Sequence, residues 1–97
     1  MKVRIEFTGG LELLTGNKSI FDLDWLEEDS FSMKKLISYI KDTVIESRKD
    51  YFVDSDVKIK PGIIVLVNNC DWDIVGGENY QVKDGDLVTF ISTLHGG

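Results

Sequence analysis

The chain closes on Ser92-Thr93-Leu94-His95-Gly96-Gly97, a diglycine carboxylate directly after an apolar segment of β type. Glycine has no Cβ, so Gly96 and Gly97 can thread in extended form through a channel too narrow for any other residue. The Gly97 carboxylate is therefore the expected reactive group, an acyl donor once something activates it. A Gly-Gly end also occurs as an inert, disordered terminus, and the residues before it must decide between the two. Leu94 is a lone aliphatic side chain on an extended tail, with no core to fill; it suits a pocket on a partner. His95 reads as a spacer or docking residue rather than an acid or base, and Gly96 completes the recognition segment.

Nothing else in the chain assembles into catalytic machinery. Cys70 and His95 are the single cysteine and the single histidine, too few for a four-ligand zinc site and too few for a disulfide. Cys70 is expected to be a small, partly buried residue at a strand end, with transient sulfur chemistry as the alternative. The Gly9-Gly10 and Gly76-Gly77 pairs lack the spacing of a phosphate-cradling loop and read as turns. No Ser/His/Asp set is present. The expectation is a protein that is acted upon, with no bound cofactor and no metal.

The 97 residues make one domain, with room for one core. The net charge of −6 argues against direct nucleic-acid binding, because phosphate contacts need clustered Lys and Arg. An acidic surface suits docking on basic patches of larger partners, or simply solubility. Met1-Lys2-Val3-Arg4-Ile5-Glu6 alternates apolar and charged residues and reads as no signal peptide. No apolar run approaches the ~20 residues of a membrane-spanning helix. A cytosolic or nuclear protein is expected.

Val3, Ile5 and Phe7 alternate with polar neighbours as in a strand with one buried face. A second strand is predicted around Lys18 to Leu23, with Ile20 and Asp22 on one side and Phe21 and Leu23 on the other; Gly16-Asn17 holds the reversal. Met33, Leu36, Ile37, Ile40 and Val44 form one stripe of the main helix. Ser32 is its N-cap, with Phe31 as a staple on Leu36, and Arg48 and Lys49 suit its far end. Pro61-Gly62 has the composition of a type II turn. It leads into Ile63-Ile64-Val65-Leu66-Val67, read as a strand covered on both faces or central in its sheet. Asp71 to Ile74 is predicted as a short strand ending at Gly76-Gly77, Trp72 as core or core edge, and Leu87 to Ile91 as the last strand after a turn at Lys83 to Asp86. The acidic stretch from Asp22 to Asp29, with Asp24, Glu27 and Glu28, reads as a solvated loop. The order β, β, α, β, short β, β implies an α+β fold, a mixed curved sheet with one main helix packed across it. The expected division is a folded body over residues 1–92 and a flexible tail over 93–97.

This order, with a diglycine tail, resembles the ubiquitin-like β-grasp fold, and within it the ubiquitin-related modifier family. The resemblance rests on Pro61-Gly62-Ile63, Asn68, Asp71-Trp72, Tyr80, Asp84, Asp86 and the block Ser92 to Gly97. Glu6-Phe7, Gly9-Gly10 and Glu12-Leu13-Leu14 also match. Asn69 and Ile74 depart from the family's usual acidic residue and leucine. The resemblance implies that an ATP-dependent activating enzyme with a rhodanese-like domain adenylates Gly97 and converts it to a thiocarboxylate. A tRNA thiolase complex then moves the sulfur to wobble uridine, and the same terminus can form an isopeptide bond with lysines of target proteins. ATP is used by the activating enzyme, not bound here. The alternatives are a dedicated sulfur carrier for molybdopterin or thiamin biosynthesis, and a pure binding module with an inert tail.

Overall fold

The computed structural model describes residues 1–25 and 29–93. Its main layer is a five-stranded sheet in the order β2-β1-β7-β4-β5. The strands are β1 (Lys2–Thr8), β2 (Ile20–Asp24), β4 (Ile63–Val67), β5 (Cys70–Asp71) and β7 (Leu87–Ser92). A separate two-stranded sheet pairs β3 (Ser30–Ser32) with β6 (Gln81–Lys83). The sheet is mixed: β1 runs parallel to β7, and the other pairs are antiparallel.

Period-two alternation places Val3, Ile5 and Phe7 of β1 on the inner face, beside Val88 and Phe90 of β7 and Val65 and Val67 of β4, all buried. Across this face lies α1 (Met33–Tyr39), whose buried Met33, Leu36 and Ile37 supply the facing stripe. The Ser32 side chain caps α1 by accepting from the Lys35 amide at 3.2 Å. The helical path continues through Ile40–Val44 with the wider π pitch, the Ile45 amide donating to the Ile40 carbonyl at 2.9 Å. Lys49 Nζ then donates to the Ile45 carbonyl at 3.1 Å and to that of Lys41. A cation thus finishes the negative pole, as its position in the sequence predicts.

Three expectations need correction. Asp71 to Ile74 is not a strand: only Cys70–Asp71 pairs with β4, and Trp72–Val75 forms one helical turn, α2. Its cause is local. Asn68 and Asn69 both take positive φ, 50° and 68°, and close a two-residue hairpin. The Asp71 carboxylate then accepts from the Asp73 amide at 2.9 Å and caps the new turn. Trp72 itself packs at the core edge as expected. β4 is not covered on both faces, since Ile64 is 40% exposed; of the two readings the other holds, for β4 lies inside the sheet between β7 and β5. The acidic stretch is not a plain loop: Asp22 and Asp24 belong to β2, whereas Glu27 and Glu28 lie outside the described residues. Phe31 is buried in the same core cluster as Leu36, its expected partner, and also meets Trp25 edge-on at 4.5 Å.

Candidate functional site

The site begins where the chain leaves the sheet. Phe7 of β1 and Phe90 of β7 stand opposite each other in the parallel ladder and stack at 5.6 Å, with Phe52 edge-on to both at 6.3 and 5.3 Å. Aromatic pairs of this geometry contribute beyond their buried area, roughly 0.5–1.5 kcal/mol each. They fix the end of β7, so that Ser92 emerges at a defined point between the end of β1 and the start of β4. On one side Gly9 lies so close that a Cβ there would stand 2.3 Å from the Ser92 carbonyl oxygen, and its φ of 71° already excludes most side chains. On the other side Ser92 pairs with Ile63. The Thr93 amide and hydroxyl both donate to the Gly62 carbonyl, at 2.8 and 2.5 Å. Gly62 takes φ 93°, the conformation required of the residue after Pro61 in a type II turn. Gly9 and Gly62, from the Gly9-Gly10 and Pro61-Gly62 turns read in the sequence, are therefore the two jaws that hold the root of the tail.

Around that root the outer face of the sheet carries an apolar group on β4 and β7, bordered by Thr8 of β1. Ile64 stands opposite Ile91, and Leu66 opposite Thr89. Leu13, on the 3-10 turn Leu11–Thr15 that follows Gly10, is 69% exposed. Thr93, the first residue of the expected tail, is thus fastened. Leu94, His95, Gly96 and Gly97 lie outside the described residues.

A second cluster sits at the opposite end of the sheet. Asp86 is buried, and its carboxylate accepts from Asn68 Nδ2 at 3.0 Å, from the Tyr80 hydroxyl at 2.6 Å and from the Lys83 amide at 3.0 Å. Asn68 in turn accepts the Leu87 amide at 2.9 Å, and Asp84 accepts the Lys2 amide at 2.7 Å. Burial, then the bond to Asp86, pushes the Tyr80 phenol from 10.0 up to about 12. Four residues that carry the family resemblance, Asn68, Tyr80, Asp84 and Asp86, are thereby accounted for as a structural lock between the hairpin after β4 and the turn before β7. Cys70 is half-buried at this same end, beside Val67, remote along β4 from the tail root.

The sequence reading missed Thr93 as an anchor and the closeness of Gly9 to Ser92. The second was not available, because a glycine just past a strand signals a turn and not which backbone will approach it. Nor was the first, because nothing in a Ser-Thr pair shows which carbonyl it will meet. Among the described residues no group of His, Cys, Asp and Glu could hold a metal, and no helix is long and apolar enough to cross a membrane.

Known proteins match this chain over its full length. The ubiquitin-related modifier 1 homolog of Dictyostelium discoideum is 44% identical over 97 residues, covering 100% of both chains. Ubiquitin-related modifier 1 of Saccharomyces cerevisiae is 38% identical over 100% of this chain and 99% of its own. The solution structure of Urm1 from Trypanosoma brucei superposes with a TM-score of 0.86 at 40% identity, over 99% of this chain and 95% of that one. CysO of Mycobacterium tuberculosis, 21% identical with a TM-score of 0.69 over 95% of this chain and 99% of its own, shares the fold. The Urm1 (Ubiquitin related modifier) profile matches residues 2–97, and the chain belongs to that family, with its ubiquitin-like β-grasp fold.

Proposed function

We propose that this protein is a sulfur carrier and protein modifier that works through the Gly97 carboxylate. It is a substrate of an activating enzyme and not itself a catalyst. A carboxylate is a poor electrophile, since expelling oxide is prohibitive. Attack of Gly97 on the α-phosphate of ATP, held by the activating enzyme, gives an acyl adenylate and pyrophosphate. A persulfide of the enzyme's rhodanese-like domain then adds at the carbonyl and AMP leaves, giving an acyl disulfide. A second thiolate of that enzyme cleaves the S–S bond, becoming one half of a new disulfide and releasing the thiocarboxylate. Its sulfur passes to wobble uridine of tRNA on a separate thiolase complex. The same activated terminus, met by a lysine amine, gives an isopeptide bond.

The observation that carries this reading is the tail root: an apolar face and two glycine jaws deliver the chain at a fixed place and direction, four residues before a diglycine carboxylate. Four residues reach about 13 Å at ~3.3 Å each. The body must therefore dock on the activating enzyme, and Ile64, Leu66 and Ile91 lie where it would. The net charge of −6 leaves tRNA contact to the thiolase complex.

The mass of the intact protein from its native cell tests the chemistry. A sulfur-for-oxygen increment confined to Gly97 supports it, and its absence from a cell with active tRNA thiolation removes it. Loss of thiamin or molybdopterin synthesis in a knockout, with normal wobble-uridine thiolation, would indicate the dedicated-carrier alternative. For recognition by the tail, Leu94→Asp is expected to slow activation at least about tenfold, the size of a lost anchor residue. Glu27→Ala, in the acidic segment, serves as control, and equal rates for the two variants would contradict a tail-anchored dock.

A further inference from the structure

The two edges of the main sheet are finished differently. At one, β5 is two residues long and gives way at once to α2, which packs against β4. At the other, β2 runs from Ile20 to Asp24 with no strand outside it among the described residues. The ends of the β1–β2 ladder fix its phase. The Phe7 amide donates to the Ser19 carbonyl, and the Trp25 amide to that of Met1, each at 2.8 Å. Bonded and non-bonded pairs alternate in an antiparallel ladder. Phe21 and Leu23 therefore bond to β1, while the N–H and C=O groups of Ile20, Asp22 and Asp24 point away from it. No described backbone group takes them up.

An open edge of this kind invites a further strand. The side chains beside it state which strand. On the inner face Phe21 and Leu23 are half-buried against the core, with Trp25 and Tyr39 beyond them. On the outer face stand Ile20, Asp22 and Asp24. Arg4 grips Asp22 through two bonds, at 2.7 and 3.2 Å, and Lys2 lies opposite Asp24. That bond to Arg4 holds the Asp22 carboxyl below its ordinary range, so it stays ionised at neutral pH.

We infer that β2 is a docking edge for an extended peptide running antiparallel to it and reading basic, apolar, basic, apolar, apolar. The two cations face Asp24 and Asp22 and continue a cross-strand ladder of alternating sign. The apolar residues cover the exposed flanks of Leu23, Phe21 and Ile20. A second copy of this chain is the poorer occupant: antiparallel self-pairing centred on Asp22 sets that carboxylate against its own twin, which is destabilising. The edge lies two strands from β7, so an engaged tail leaves it open. The inference does not depend on sulfur transfer, and its test needs no activating enzyme.

The probe is the blocked synthetic peptide Gly-Lys-Val-Lys-Val-Val-Gly, added to the isotope-labelled full chain while amide hydrogen exchange is followed by NMR. At the highest soluble peptide concentration, exchange at Ile20, Asp22 and Asp24 is expected to slow at least about tenfold, as for newly bonded amides. The amides of Phe21 and Leu23, already bonded, should change little. The peptide with glutamate in place of both lysines should leave all five unchanged, and Asp24→Lys should shift preference towards it. Four outcomes would overturn the proposal: no protection at β2, equal protection by both peptides, protection confined to Ile64 and Ile91, or protection on concentrating the protein alone. The last would identify a second copy as the occupant.

Discussion

A chain ending at Gly96 is expected, on the proposed function, to form no adenylate with an activating enzyme, while unfolding at the same denaturant concentration as the full chain. The reason is a separation of duties along the last eleven residues. Leu87–Ser92 is the central strand, and Thr93 is tied to Gly62. Every described contact of the C-terminal segment is thus complete by residue 93. Removing Gly97 takes away the acyl group and displaces the new carboxylate by about 3.3 Å, more than an in-line attack on phosphorus tolerates. Stability should stay within roughly 0.5 kcal/mol, as for changes outside the packed body. Pyrophosphate exchange into ATP measures the first part and urea unfolding the second. Undiminished exchange by the truncated chain would exclude Gly97 as the activated residue.

The second large effect concerns the other end of the sheet. Asp86→Ala is expected to destabilise the fold by about 3 kcal/mol, because three donors lose a buried acceptor at once. For a domain of this size that lowers the midpoint temperature by roughly 12–24 °C. Tyr80→Phe, which removes one donor of the three, should cost about 1 kcal/mol. It should also change the alkaline limb. Burial and the bond to Asp86 push the folded phenol up to about 12 from an ordinary 10.0. Its contribution is therefore fully present below pH 10 and lost as pH rises through the folded value. The wild type should lose stability over that window more steeply than Tyr80→Phe. A cost below about 1 kcal/mol for Asp86→Ala would show that the network is not a lock.

The elements legible in the sequence were those whose periodicity is imposed by one large buried face. β1, the stripe from Met33 to Ile40 and β7 all pack on that face, so their patterns were plain. β3 and β6 were not visible, because three-residue strands such as Ser30–Ser32 show one buried side chain and no repeat. The turn at Trp72–Val75 was misread for a related reason. Its apolar residues are not a core stripe, Ile74 being 75% exposed, and what sets the backbone is the Asp71 cap and two asparagines in the left-handed region. Of the site, the expectations for the diglycine and Leu94 fall on residues 94–97, outside the described residues. What positions the tail was hidden, since the jaws at Gly9 and Gly62 come from parts of the chain far apart in sequence and meet only through the sheet.

The parallel register of β1 and β7 also determines how the molecule responds to force. Tension applied between the N-terminal end and a load fixed at the C-terminal end pulls these two neighbouring strands in opposite directions along their common axis. Five paired positions, from Arg4 with Leu87 to Thr8 with Ile91, then resist together instead of opening one after another. A shear geometry of this kind gives a high rupture force, whereas a pull entering through a lysine such as Lys18, at the mouth of the β1–β2 hairpin, would peel β2 away bond by bond. Single-molecule stretching in the two geometries should separate them clearly, and equal forces would refute the shear argument. A target that carries this protein through its tail would therefore present a handle whose mechanical strength depends on where a pulling machine takes hold.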